Sequence, residues 1–341
     1  MSLTDEYIKD FKSGMIHREL AKKYNITEGY SSKKASLLIT QGKLVSRNTP
    51  KEIDLNREER IVIEPIPKKP IEIQVAPKRE PITSTVNNIK DMRRIIGIWD
   101  DHNPMIIPQK ANLQLIKDIQ PTHLINGGDA LHLSYLRAIA NAKGRVSLSI
   151  EEWNKIQSAL KEDYRSYNVI LDGRDAAVPE NCEKTLLIGN HDYYLEILSK
   201  KCPDIEIFDY KKHLRLKERG YRVVPLNKEH TIGKLYFVHG IYFLDHHAKK
   251  TASVYHRNIR YGHKHDVQEY TTTTPLGQWD AYNAKSCGCN CDTNPDYIRA
   301  KPNAWTHAVY LAYVWPDGSF SDYVIKSVSG KFVYGNRIYG I

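Results

Sequence analysis

No run of about 18 or more apolar residues occurs in this chain, so no membrane-crossing helix is expected. The first residues, MSLTDEYIKDFKSG, lack the apolar core of a secretory signal, which points to a cytoplasmic protein. Cysteine is scarce and odd in number, five in 341 residues, and three of the five (Cys287, Cys289, Cys291) crowd one short segment. That count argues against a disulfide framework and for a reduced loop. The C-x-C-x-C spacing is also tighter than the C-x₂₋₄-C of ordinary zinc sites. Acidic residues fall short of basic ones, leaving a net charge of +10 and a pI near 9.1. A basic balance of this kind suits a polyanionic partner such as nucleic acid, and equally a plain solvated surface.

What remains is the profile of a globular protein, 41% hydrophobic and 26% charged, with an unusually full set of 14 histidines. Three zones follow one another. Over residues 1–46, Tyr7, Ile8 and Phe11 form one apolar face and Ile16, Leu20, Ala21 and Tyr24 a second, both at helical spacing. Asn25-Ile26-Thr27 breaks that pattern before a third stretch through Ala35, Leu37, Leu38 and Ile39. The segment SGMIHRELAKKYNITEGYSSKKASLLITQGKLV resembles the helix-turn-helix of resolvase-like and phage DNA-binding proteins. That resemblance implies DNA as a partner, with Ser32, Lys33 and Lys34 on the recognition helix. Read without it, the zone is a small three-helix bundle or a tether. Residues 47–90 carry six prolines among Lys, Arg and Glu, the composition of an extended linker.

From residue 91 to 341 short apolar segments, each running into a polar cluster, alternate with helical stretches, which is an α/β pattern. The segments are Arg94 to Trp99, His123 to Asn126, Thr185 to Ile188 and Lys234 to Val238. A helical insertion is expected between Ala130 and Glu183, and VYLAYVWPDGSFSDYVIKSV reads as a hairpin turning at Asp317-Gly318. The clusters are Asp100-Asp101-His102, Gly128-Asp129, Gly189-Asn190-His191-Asp192, His239-Gly240 and Gly262-His263-Lys264-His265. Carboxylate oxygens and imidazole nitrogens together suit divalent first-row metals, and two such ions about 3.5–4 Å apart need a bridging carboxylate. Residues two apart on an extended segment point the same way, which would bring Asp100 with His102 and His263 with His265 to one side.

In this order, D-x-H, G-D, G-N-H-D, H-G and G-H-x-H resemble the motifs of the calcineurin-like metallophosphoesterase superfamily, over roughly residues 91–341. The resemblance implies a four-layer α/β/β/α sandwich of two mixed sheets, preceded here by the small all-helical domain. It implies two divalent ions, manganese first, with iron, zinc, nickel or magnesium also compatible. One ion would take Asp100, His102 and His265, the other Asn190, His239 and His263, with Asp129 bridging. His191 would stand beside the leaving group as general acid or as a stabilising cation. His132 is a candidate for contact with substrate or a metal-bound water, Asp192 for holding the His191 ring, and Asp245, His246 and His247 for orienting a ligand imidazole. The implied activity is metal-dependent phosphodiester hydrolysis, with a DNA nuclease first. Cyclic or dinucleotide phosphodiesterase and phosphoprotein phosphatase share the same motifs, and so would a DNA-binding assembly protein whose metal domain is a scaffold. The domain pairing is similar to that of phage proteins, which would place it in the host cytoplasm.

Overall fold

The structure is a computed structural model. It describes residues 3–13, 15, 17–25, 35, 38 and 89–340, apart from 145, 275 and 276. The chain divides into two compact units, Met1–Lys78 and Arg79–Ile341.

In the first unit, helices α1 (Leu3–Lys12) and α2 (His17–Tyr24) bury Tyr7, Phe11 and Leu20 together with Ala35 and Leu38. The apolar spacing read from the sequence is therefore a core stripe. Tyr24 donates its hydroxyl to Asp10 at 2.6 Å, and Lys23 pairs with the same carboxylate at 2.6 Å. Burial of the phenol, with the Asp10 charge beside it, pushes the Tyr24 hydroxyl up to about 12. Ser32, Lys33 and Lys34 lie outside the described residues, as does nearly all of the proline-rich stretch.

In the second unit two mixed sheets pack face to face with helices on both outer sides. The first sheet contains β1 (Arg93–Ile98), β2 (His123–Asn126), β3 (Glu183–Leu187), β4 (Tyr221–Val224), β10 (Ala308–Val314) and β11 (Phe320–Lys326). Their order is β11-β10-β1-β2-β3-β4, with β1 to β4 parallel and the β10–β11 hairpin antiparallel at one side. The second sheet runs β5-β6-β7-β9-β8, built from His230–Ile232, Leu235–Phe237, Asn258–Tyr261, Gly277–Ser286 and Glu269–Thr274. A small hairpin, β12 (Phe332–Tyr334) and β13 (Arg337–Tyr339), follows.

The period-2 alternation of a strand decides which side chains fill which layer. In β10, Tyr310, Ala312 and Val314 enter the core between the sheets, while Val309, Leu311 and Tyr313 turn to the helical side. In β1, Ile95 joins the inter-sheet core, with Trp99 just beyond the strand, and Ile96 and Ile98 face the helix α3 (Lys110–Ile119). Behind the second sheet, Ala252 of α8 (His247–Tyr255) packs on Val238, Ile259, Tyr261 and Ala284.

The expected helical insertion is α4 (Arg137–Asn141) followed by α5 (Ile150–Asp175), and past β3 come α6 (Tyr193–Lys201) and α7 (Tyr210–His213). A capping box starts α5: Ser149 Oγ accepts from the Glu152 N–H at 3.1 Å, and Glu152 accepts from the Ser149 N–H at 2.8 Å. Leu160, Tyr164, Tyr167 and Leu171 recur at helical spacing and bury one face of it. Among the described residues no helix is long and apolar enough to cross a membrane.

Candidate metal centre

Every polar cluster singled out in the sequence lies just beyond the carboxyl end of a strand. β1 ends at Asp100–His102, β2 at Gly128-Asp129, β3 at Asn190–Asp192, β6 at His239 and β7 at His263–His265. Because the sheets face each other, these ends converge in one place. Asp129 Oδ2 lies 3.3 Å from His239 Nε2 and 3.5 Å from His102 Nε2. Around Asp100 Oδ1 stand His265 Nε2 at 3.6 Å, His102 Nε2 at 3.9 Å and His239 Nδ1 at 4.0 Å. Asn190 Oδ1 sits 3.0 Å from His239 Nε2 and 2.7 Å from His263 Nδ1. Asp100, His102 and His265 thus form one group, and Asp129, His239 and His263 another.

The route to this convergence differs from the extended alternation expected from the sequence. Asp100 and His102 have φ of 53° and 46°, His263 and His265 have φ of 71° and 67°, and Asp129 has 49°. All five lie in the left-handed region, so tight loop turns rather than a pleat aim the side chains inward. Close backbone approach is needed as well. A Cβ on Gly189 would stand 2.1 Å from Asp129 Oδ1, and one on Gly262 would stand 2.2 Å from Asp100 Oδ2.

The residues fit divalent-cation binding on two grounds. Asp100 Oδ1 is fully buried and has no hydrogen-bond partner, an arrangement that costs free energy unless something positive faces it. The imidazoles around it carry available lone pairs. Burial holds the His102 ring far below the usual histidine range, His263 down at about 4 and His265 at about 3. His239 differs. Burial works against its charge, but the Asp129 and Asp100 carboxylates outweigh that and push the ring up to about 10. Its Nδ1–H donates to the Gly127 carbonyl at 3.0 Å, leaving Nε2 toward Asp129 and Asn190. To serve as a metal ligand His239 would have to give up its Nε2 proton. Asp100 and Asp129, the two buried carboxylates, part company. Burial and the Asp129 charge hold Asp100 well above the ordinary value. Asp129 is also opposed by burial, but the His239, His191 and His102 rings hold it well below.

His191 stands at the edge of the first group, its ring 4.7 Å from that of His102. Its backbone N–H donates to Asp129 Oδ1 at 2.8 Å, and its Nδ1–H donates to the carbonyl of His132. One expectation changes here. The Asp192 carboxylate does not hold the His191 ring. Buried, it accepts from the backbone N–H groups of Gly189 (3.0 Å), Leu131 (3.2 Å) and Ala130 (3.3 Å), tying two loops together. Burial, with Asp129 nearby, pushes it up to about 6. The backbone of His132 does the ring-holding instead. Its own ring stacks on His191 at 5.1 Å, and burial beside His191 brings it down to about 4.

Asp245 is not brought to the ligands. It is exposed, and its carbonyl accepts from Gln268 Nε2 at 2.8 Å. The buried residue of that segment is His247, which donates to Asp266 Oδ2 at 2.9 Å and lies 2.7 Å from the Tyr261 hydroxyl.

Sequence reasoning missed the brace behind Asp100 and His102. Asp101 points away from the cluster into a bidentate pair with Arg174 of α5, at 2.7 and 2.9 Å, and accepts the Tyr167 hydroxyl at 2.7 Å. Arg174 also donates to Gln109 Oε1 at 2.9 Å. Asn290 is another such residue: its N–H donates to the Asp100 carbonyl at 3.1 Å and its Nδ2 to the Ala308 carbonyl at 3.1 Å. An arginine at helical spacing from Tyr167 and Leu171 on an otherwise apolar face was the available signal. The Cys287–Cys291 segment is reduced and buried beside the site, with Cys291 Sγ 3.9 Å from His265 Nδ1.

No protein-family model matches the chain, and no curated protein matches it. Among solved structures it is similar to Vps29 from Entamoeba histolytica complexed with Zn²⁺, at 11% identity and a TM-score of 0.37, covering 70% of this chain and 96% of that one. A single mutant of the same Vps29 aligns at 13% identity and a TM-score of 0.32, covering 69% and 99%. The two mixed sheets flanked by helices, and the donor cluster at their strand ends, give this chain a fold resembling the calcineurin-like metallophosphoesterases.

Proposed function

We propose that the second unit is a two-metal phosphoesterase that hydrolyses a phosphodiester, with DNA as the first substrate to test. The observation that carries this reading is the convergence of seven donor residues, the orphaned Asp100 Oδ1 among them, with the His191 ring beside them. Asp100, His102 and His265 would hold one cation, Asn190, His239 and His263 the other, and Asp129 both. Such a pair supplies charge against the phosphate oxygens and lowers the pKa of water near it.

The protein's own part is positioning and proton transfer. With its Nδ1–H given to the His132 carbonyl, His191 keeps Nε2 for the substrate, where a protonated ring can donate to the departing oxygen. Asp192 fixes the His191 loop against the Asp129 loop through three backbone N–H groups. The buried Asp101–Arg174 pair holds the Asp100–His102 turn from behind. A helix-turn-helix head tethered by a proline-rich arm would raise the local concentration of DNA at the site.

The test is hydrolysis of bis-p-nitrophenyl phosphate beside labelled single- and double-stranded DNA, with Mn²⁺ and with chelator. Manganese-dependent cleavage of both supports a diesterase acting on DNA. Cleavage of the small diester alone redirects the search to cyclic or dinucleotide substrates and phosphoproteins. In the same assay His191→Ala should lower turnover by about 10²- to 10⁴-fold while Mn²⁺ still binds. Metal binding with no hydrolysis of any ester, in wild type and variant alike, would favour the scaffold reading.

A further inference from the structure

Aromatic rings border both groups of donors, and hydrolysis itself has no use for them. Beside the His263 group stands Phe243, its ring 6.3 Å from that of His263, on the loop between His239 and α8. Phe243 is 60% exposed and its neighbour Leu244 73% exposed. With Tyr242 and Lys250 they border a cavity of about 650 Å³, the Lys250 ammonium lying 5.9 Å from the Tyr242 ring centre. Beside the His265 group stands Trp305, its ring 4.1 Å from that of His265. Tyr297, 57% exposed, lies nearly parallel to His132 at 6.0 Å, and His132 in turn stacks on His191.

Large apolar rings left in water at the rim of a strongly polar site gain nothing by staying there in the isolated chain. Flat faces beside the place where a phosphate would lie do match one chemistry. A nucleotide carries its base one sugar ring away from its phosphate, and base–aromatic stacking is a general means of holding unpaired strands. A phosphomonoester has one organic arm and would occupy one wall. Rings beside both donor groups match a diester with a flat group on each arm. A duplex keeps its bases stacked on one another, so the walls select unpaired nucleotides.

We infer that Phe243 on one side, and Tyr297 with Trp305 on the other, are stacking platforms for the two bases that flank the scissile phosphate of a single-stranded nucleotide diester. The inference rests on the phosphoesterase reading and narrows its substrate class. Lys250, set beside the Phe243 wall, would meet the next phosphate of a strand.

The test compares thymidylyl-thymidine with its analogue lacking both bases, in cleavage and in binding, on the full chain loaded with Mn²⁺. Wild type should prefer the base-bearing dinucleotide, and Phe243→Ala and Tyr297→Ala should each cut that preference on the order of 5- to 100-fold. Phe243→Trp should keep it. Both positions are mostly exposed, so these variants should fold. A single-stranded thymidine oligomer should be cleaved in preference to its duplex. Equal handling of the two dinucleotides by wild type would overturn the platforms and leave the phosphoesterase intact, as would equal handling of strand and duplex. Should nothing be cleaved, the phosphoesterase reading falls, and binding still decides the walls: base-dependent binding that the two alanine variants lose upholds them, and base-independent binding removes them.

Discussion

Replacing Arg174 by Met tests whether the site is held from behind. The guanidinium is 1% exposed and Asp101 is 0% exposed, and they meet in a two-pronged pair at 2.7 and 2.9 Å. Met keeps much of the volume and removes the charge, so Asp101 is left buried with the Tyr167 hydroxyl as its remaining side-chain donor. Stranding one member of a buried ion pair costs about 3–5 kcal/mol. In a domain of this size each kcal/mol moves the melting temperature by about 2–4 °C, so the midpoint should fall by roughly 10 °C. The Asp100 and His102 turns flank Asp101, and Mn²⁺ affinity should drop by about 10-fold or more, the usual cost of losing support behind a metal ligand. The decisive arm is Arg174→Met combined with Asp101→Asn. With both charges gone the buried penalty disappears, and about 2–3 kcal/mol should return as a coupling energy. Thermal melts of the four proteins with a Mn²⁺ titration of each complete the cycle. A single-variant loss under about 1 kcal/mol, or a double variant no better than the single, would refute the bracing argument.

Three further outcomes are expected. Gly189→Ala would put a Cβ 2.1 Å from Asp129 Oδ1 and 2.2 Å from its backbone nitrogen, so Mn²⁺ binding by calorimetry should fall by about 10- to 100-fold with little change in helix content. Normal affinity would show that the close approach is not required. Asp163 is pushed up to about 6 by burial, despite the Tyr135 hydroxyl that it accepts at 2.8 Å. The folded chain therefore binds that proton more tightly than the unfolded one, and stability from this group falls as pH rises from about 4 to about 6. Asp163→Asn should gain about 1–2 kcal/mol in melts at pH 7–8 and nothing at pH 4; an equal gain at both would refute the assignment. Removing residues 1–46 should leave small-diester turnover intact while DNA affinity drops and its salt dependence flattens. Unchanged DNA affinity would end the case for a recognition head.

Much of the second unit was legible because its signals are local. The four apolar segments named in the sequence became β1, β2, β3 and β6 within one or two residues, and Asp317-Gly318 turns the β10–β11 hairpin, with Gly318 at φ 84°. The ligand types were legible for the same reason, since a carboxylate or imidazole directly after an apolar strand is brought to the strand's carboxyl end. Illegible features depend on partners far away in the chain. The alternation that pairs Asp100 with His102 leaves Asp101 facing elsewhere, but its partner Arg174 is 73 residues away and nothing near Asp101 announces it. Asp192 lies next to His191, which suggested a pair, yet its carboxylate is drawn to the free N–H groups of Gly189, Ala130 and Leu131. Strands β8 and β9 also escaped notice, because Glu269–Thr274 carries a single apolar ring, Tyr270, and reads as loop without its partner. Gly335-Asn336, a turn signal between β12 and β13, was present and overlooked, with φ of 54° and 64°.

Left-handed backbone at the donors gives the site its energetic character. A non-glycine residue in that region costs roughly 1–2 kcal/mol, and five of the seven candidate ligands pay it: Asp100, His102, Asp129, His263 and His265. Such a conformation persists only where neighbours overdetermine it. Here the neighbours can be named. Asp100 donates its N–H to Gly128 O at 3.1 Å and accepts from Asn290 at 3.1 Å, while the His102 N–H donates to Asp129 O at 2.8 Å. The His263 N–H donates to Asp100 Oδ2 at 2.8 Å, and Thr306 donates to the His265 carbonyl at 2.8 Å. Each bond joins one loop to another, and none belongs to a sheet ladder. Strained turns therefore support one another across the gap between the two sheets, and the donor atoms of each group lie within a few ångströms of one another. Turns braced in this way would take a cation at a lower cost of loop ordering, which is a physical reason for placing ligands on mutually braced turns instead of on the strands themselves.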